Sequence, residues 1–353
     1  MDGSTGEGGG QILRTTLALS TILKKEVRIV KIRAGRSRPG LMAQHLTSVI
    51  ATGALCDAHM SGATVGSVEL EYKPGQIRSG RFRFDVGTAG SVALVLQALM
   101  PIAAFAPGRV ELEITGGTDV KWSPPIDYLS MVTLPILQRF GCHARLDLIR
   151  RGHFPRGGGL VRFISEPSRG FRALKLLDPG AVVKTRLVSH VVGLPRHVAE
   201  RTADSAKMIV QESSLPAPET RLDVTPNGPY IGSGSGIVLV AESERDALLG
   251  GDALGEKAVP AEKVGAEAAN KLIEDLASNS FLDRHMADIV VPYAALASGT
   301  SEVSIARITR HVQTNVQISE LLTGVRFQLK GEVDKPGRFS VNGLGLEQSL
   351  SLA

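Results

Sequence analysis

Two cysteines, Cys56 and Cys142, stand in 353 residues. That is too few for a disulfide framework or a cysteine-built zinc site. No apolar run reaches the roughly 18 residues that a membrane span needs. The first eleven residues are glycine-rich and lack the basic-then-apolar order of a signal peptide. Aromatic residues make up only 4%, so a base-stacking platform of the single-strand-binding kind is not expected to dominate. The reading is a soluble, reduced, cytoplasmic protein without a membrane partner. The familiar nucleotide loops are also missing. There is no G-x-x-x-x-G-K-S/T, and residues 6–11 (GEGGGQ) do not fit G-x-G-x-x-G. H-E-x-x-H, G-x-S-x-G and calcium-loop patterns are absent as well. Any ATP is therefore bound without a Walker loop.

What is present is a chain long enough for two or three domains, 43% apolar and 21% charged. Lys and Arg number 40 against 35 Asp and Glu. Residues 1–100 hold 12 basic and 7 acidic side chains, the whole of the net +5. A partner bearing phosphates is expected there. The patterning predicts a short strand over 27–32, a helix over 40–55, strands over 68–72 and 82–86, and a helix over 91–105 interrupted by Pro101. A strand over 110–115, a helix over 127–140, and strands over 143–149 and 160–164 follow. The order points to an α+β architecture of similar units. Residues 184–277 break the pattern: a strand, a helix over 196–211, a Pro-rich connector, two strands, a glycine-rich loop and a helix over 261–277. This stretch is expected to be an inserted α/β domain. The core is expected over 1–183 and 278–335, with residues 336–353 a loosely held tail.

Four stretches carry chemistry. In the first (GEGGGQILR, residues 6–14), glycines ahead of a helix let backbone N–H groups approach an anion. Glu7 inside such a loop repels the anion unless a cation lies between them, so it is a candidate ligand for Mg²⁺ or Mn²⁺. In the second (RAGRSRPGLMAQHLT, residues 33–47), Arg33, Arg36 and Arg38 alternate after a strand, and guanidinium forks match phosphate oxygens. The third (RGHFPRGGGLV, residues 151–161) reads as mostly structural, with its basic residues as RNA contacts. The fourth joins residues 285–289 (HMADI) to residues 309–315 (TRHVQTN). A neutral imidazole attacks phosphorus well, and the phosphoramidate passes the group on. His45, His59, His143, His153, His190 and His197 read as structural.

Taken together, these stretches and the HVAER run at residues 197–201 resemble the RNA 3′-terminal phosphate cyclase family, over about residues 1–330. The resemblance implies an ATP-dependent, metal-assisted enzyme. It would convert an RNA 3′-terminal phosphate to a 2′,3′-cyclic phosphate through a covalent histidine–AMP and an RNA-3′-pp-5′-A intermediate, releasing pyrophosphate and AMP. It places the nucleophile at His311 and the metal-binding carboxylate at Glu7. ATP contacts fall at Arg14, Arg36, Gln44, Gln97, His285, Met286, Ala287, Asp288 and Ile289. The alternating arginine run itself, apart from the resemblance, offers Arg33 and Arg38 as RNA-phosphate contacts. The implied fold is three repeated sheet-and-two-helix units, similar to an initiation-factor C-terminal domain and to the enolpyruvyl transferases, with a smaller inserted domain. Family members begin with a short apolar strand before Asp-Gly. Here Asp2-Gly3 follows Met1 directly, so that strand is expected to be missing or truncated. The rival readings are a non-catalytic cyclase-like factor for RNA binding or ribosome assembly, and an enolpyruvyl-type transferase.

Overall fold

The computed structural model describes residues 1–226 and 231–347. The fold is mixed α+β, and the described strands form four small sheets. The first is antiparallel, in the order Val27–Ile29, Leu70–Lys73, His59–Ser61. Residues 1–3 keep a stub of pairing at its open edge. The Gly3 N–H donates to the Val30 carbonyl at 2.7 Å, and the Val30 N–H donates to the Met1 carbonyl at 3.0 Å. The second sheet runs Gly80–Asp85, Val110–Gly116, Gly159–Ser165, Ala144–Arg150. Its first pair is parallel and the other two are antiparallel.

Val182–Val192 is the central strand of a third sheet, with Glu219–Thr225 parallel on one side and Gly234–Ser243 antiparallel on the other. Leu248–Leu254 closes it, and the helices Arg196–Glu212 and Ala261–Leu276 pack together on this sheet. A glycine-rich loop was expected where Leu248–Leu254 lies. The strand forms because its glycines serve close approach: a Cβ on Gly250 would sit 2.5 Å from Tyr128 Cε2, and one on Gly251 2.3 Å from the Ala268 carbonyl.

The expected loose tail also differs from the structure. Gly337–Asn342 is an inner strand, paired with Phe327–Lys330 and Thr300–Ile305, and Lys175–Leu176 completes that sheet. Alternation explains it: Phe339 and Val341 are buried while their neighbours face outward. The short run between Pro336 and Gly343 hides that alternation in the sequence. Residues 348–353 lie outside the described residues.

The helices hold two further lessons. Val92–Ala104 runs unbroken through Pro101. Proline has no N–H, so the Gln97 carbonyl four residues earlier is released from the helical ladder. The stretch from Ile126 to Arg139 passes through one wide turn at Leu129–Thr133, just ahead of Pro135. Gly10–Leu23, buried nearly all round, packs against Ala43–Cys56, Val92–Ala104 and Arg310–Thr323, so it is the hub on which the other helices are set. No helix among the described residues is long and apolar enough to cross a membrane.

Because Phe339 is 1% exposed, Phe339→Ala should cost about 3–5 kcal/mol of stability, read from urea unfolding. A loss under about 1 kcal/mol would show that the strand does not hold its sheet.

Candidate active site

Four helix starts meet at one place. Gly10–Leu23 begins after Gly9 with neither a side-chain cap nor an acidic residue in its first turn, and Ala43–Cys56 begins the same way after Met42. At the start of Val92–Ala104, the Ser91 hydroxyl accepts from the Leu94 N–H at 3.1 Å, and the Ser91 N–H donates to Gln44 Oε1 at 2.8 Å. Arg310–Thr323 begins after Thr309, whose hydroxyl accepts from the Val312 N–H at 3.2 Å. The starts touch. A Cβ on Gly10 would lie 2.3 Å from His45 Nε2, and one on Gly9 2.4 Å from Glu7 Oε1, so a side chain at either position would displace these neighbours. Helix N-termini carry partial positive charge and free N–H groups, so their convergence makes an anion site.

The charged side chains are ordered around that point. Arg14 is buried and donates to Gln11 Oε1 at 2.7 Å, while its Nε has no hydrogen-bond partner among the described residues. Burial pushes its guanidinium down to about 10, opposed by Asp288 and Glu7; it stays charged at neutral pH. Arg36 Nη2 donates to Glu7 Oε1 at 3.1 Å. His311, in the first turn of Arg310–Thr323, has its Nδ1 3.3 Å from the same oxygen. That nitrogen is buried and lacks the alignment of a hydrogen bond, while the side chain as a whole is 41% exposed. The exposed rim of the ring is therefore the side away from Nδ1. Glu7 Oε2 accepts no hydrogen bond among the described residues.

Behind His311 a buried polar bridge locks the helix hub. Thr15 Oγ1 donates to Asn315 Oδ1, and Asn315 Nδ2 donates to the Asp288 carbonyl, both at 2.7 Å. Burial raises the Asp288 carboxyl above its usual range, opposed by His311, His285 and Arg14. Gln11, Arg14, Gln97, Asp288, Ile289 and Asn315 line a cavity beside it.

Of the residues singled out in the sequence, Glu7, Arg14, Arg36, Gln97, Asp288, Ile289 and His311 lie around this centre, and Gln44 stands at the Ser91 helix start. Others lie elsewhere. Arg33 Nη1 donates to the Arg38 and Gly40 carbonyls, at 2.8 Å each, so it braces its own loop. The Arg38 side chain is exposed and has no partner among the described residues. His285 stands edge-on to Tyr128, 5.9 Å between ring centres, with Nε2 3.8 Å from Asp252. The Met286 and Ala287 side chains are fully buried, so they offer a ligand only backbone.

Two readings change. Arg151, expected as an RNA contact, is buried among carboxylates: 2.6 Å from Asp127, 2.9 Å from Asp223 and 3.2 Å from Asp119. His45, read as structural, belongs to the centre. It is 6% exposed, its Nδ1 has no hydrogen-bond partner among the described residues, and it stands beside Gly10. Burial, reinforced by Arg14, Arg33 and Arg36, pushes it down to about 3. The signal available in the sequence was its place three residues into a helix that follows an arginine run.

An exposed histidine set among converging helix starts and arginines, on an α+β scaffold of small mixed sheets, is an arrangement suited to phosphate groups. The profile of the RNA 3′-terminal phosphate cyclase family matches residues 5–329. The chain is 49% identical to the RNA 3′-terminal phosphate cyclase of Hyperthermus butylicus, over 98% of both chains. It is 48% identical to that of Ignicoccus hospitalis over 98% of both, and 45% identical to that of Pyrococcus abyssi over 97% of this chain and 98% of the other. The chain belongs to the RNA 3′-terminal phosphate cyclase family, whose members are ATP-dependent enzymes of the ligase class.

His45 gives a pH prediction. Its folded value of about 3 lies below the ordinary value of about 6.5. Between these limits the unfolded chain takes up a proton that the folded chain refuses, so stability falls as pH drops below about 6.5. Lowering the pH from 7 to 5 should cost about 2 kcal/mol through this group, and His45→Gln should remove that part of the slope in urea titrations. Parallel slopes in the two proteins would refute the assignment.

Proposed function

We propose that the protein converts the 3′-terminal phosphate of RNA to a 2′,3′-cyclic phosphate in three steps. The observation that carries this reading is the His311–Glu7 pair at the meeting of the helix starts. With its proton on Nδ1 facing Glu7, the imidazole keeps its lone pair on Nε2, the exposed side. Nε2 attacks the α-phosphorus of ATP: an N–P bond forms, the α–β bridging P–O bond breaks, and pyrophosphate leaves. An oxygen of the RNA 3′-phosphate then attacks the adenylyl phosphorus and frees the histidine. Finally the neighbouring 2′-hydroxyl attacks the activated 3′-phosphorus, loses its proton and expels AMP. Proximity favours this closure, since the hydroxyl is already held near phosphorus.

Arg14, Arg36 and the helix N–H groups serve as the counter-charge for the triphosphate and for the crowded phosphorus of each transfer. Gln97, released by Pro101, and Asp288 with its neighbours line the nucleotide's place. Glu7 fits a divalent ion, because one of its oxygens faces Arg36 and His311 and the other accepts no hydrogen bond. Mg²⁺ or Mn²⁺ held there supplies charge neutralisation on the phosphate oxygens. The exposed Arg38 remains the candidate for the RNA backbone, and Arg33 acts by shaping the loop that carries it. The sheets containing Val27–Ile29, Val110–Gly116 and Thr300–Ile305, with their helices, are read as three related units, and residues 184–277 as an insertion. Both cysteines are buried and free, in keeping with a reducing cytoplasm. A non-catalytic RNA-binding or assembly role is disfavoured by the exposed His311.

Incubated with ATP and Mg²⁺ or Mn²⁺, the wild-type protein should gain the mass of one adenylyl group, with the modified peptide containing His311. His311→Ala should form no adduct, and Glu7→Ala should lose metal dependence and most adenylylation. An adduct on another residue would overturn the assignment. Arg36→Ala should slow adenylylation about 10- to 100-fold, the worth of a charge-assisted hydrogen bond, with Arg36→Lys intermediate. Equal rates for the two variants would argue against a forked phosphate contact.

A further inference from the structure

A second cluster of metal-ligating side chains shares no residue with this centre. Asp119 follows the strand Val110–Gly116, His153 sits in the turn between Ala144–Arg150 and Gly159–Ser165, and His190 is on Val182–Val192. One ligand atom from each lies within 4.8 Å of the others. The three residues are 2%, 4% and 1% exposed. We propose that Asp119, His153 and His190 bind a structural divalent metal ion of the zinc class, pinning the sheet of Val182–Val192 to the loops of the neighbouring sheet.

Three observations carry the inference. First, His153 Nε2 and both ring nitrogens of His190 have no hydrogen-bond partner among the described residues. A buried polar atom left unpaired is expensive and therefore rare, and these atoms belong to two adjacent imidazoles. The rings stack with centres 5.3 Å apart, and His190 Nε2 is 3.8 Å from Asp119 Oδ1. A metal ion takes one lone pair from each imidazole and the carboxylate oxygen together.

Second, the facing strand Gly234–Ser243 is cleared for these rings. A Cβ on Gly234 would lie 2.2 Å from His153 Cγ, and one on Gly236 2.7 Å from His190 Cε1. Third, the surrounding charge tolerates a cation. Asp119, Asp127 and Asp223 face the guanidiniums of Arg151 and Arg221. Arg151 shares Asp119 but makes its shorter contacts to Asp127 and Asp223, so it stays paired when Asp119 turns to a metal.

Two imidazoles and one carboxylate are a borderline-soft set that suits zinc and not magnesium or calcium. Zinc bonds of about 2.0–2.2 Å put tetrahedral ligands about 3.4 Å apart, so small side-chain rotations close the triad. The set shares no residue with the Glu7 centre and does not rest on the function proposed for it.

The test uses the full chain, stripped with chelator, dialysed and loaded with Co²⁺ alone. Wild type and Glu7→Gln should each retain about one ion per chain after gel filtration, with the visible bands of four-coordinate cobalt. His153→Gln and His190→Gln should lose those bands and weaken cobalt binding about 100-fold or more. Added Zn²⁺ should raise the melting temperature of wild type and of Glu7→Gln, but not of the two histidine variants. Where a histidine variant fails to fold by circular dichroism, Asp119→Asn, nearly identical in size, takes its place. Wild type retaining less than about 0.1 ion per chain, or unchanged cobalt bands in a folded triad variant, would overturn the proposal.

Discussion

Positive helix ends repel one another. Bringing the starts of Gly10–Leu23, Ala43–Cys56, Val92–Ala104 and Arg310–Thr323 together therefore costs energy, and an anion among them offsets that cost. Gly9 and Gly10 ease the approach, since a side chain at either position would displace Glu7 or His45. The two starts without side-chain caps, after Gly9 and Met42, keep N–H groups for a ligand that a Ser or Asp cap would have satisfied internally. The apolar packing of Gly10–Leu23 against three other helices supplies the stability that this arrangement spends.

Within that frame, Glu7 sets the chemistry of its neighbours. It is the carboxylate in direct contact with both Arg36 and His311. Its charge lies beside the imidazole and keeps one guanidinium in reach. On the proposed reading, the same carboxylate holds the metal, so one side chain joins the nucleophile, the arginine and the ion. His45 does the opposite work. Held neutral by burial, it fills space between arginines without adding charge to an already positive centre.

Much of this was legible in the sequence because it is local. Glycines before a helix, alternating arginines and a histidine just after a helix start are short patterns with direct physical meaning. What was not legible depends on distant pairing. Gly337–Asn342 is a strand because Phe339 and Val341 meet a sheet whose other strands begin at residue 175. Arg33 and Arg36 look alike in the chain, yet one turns back on the carbonyls of its own loop and the other reaches Glu7. Arg151 looks like a surface contact until Asp119, Asp127 and Asp223 converge on it from three places.

The histidines show how far environment divides one residue type. His311 keeps a buried nitrogen against a carboxylate and an exposed rim, the combination a nucleophile needs. His45 is enclosed by cations and stays uncharged. His153 and His190 are enclosed beside a carboxylate, with lone pairs directed at no donor among the described residues. A hydrophobic pair would fill that last space without unsatisfied atoms. Two buried imidazoles, cleared of neighbours on one side and provided with a carboxylate on the other, make physical sense when something positively charged completes them.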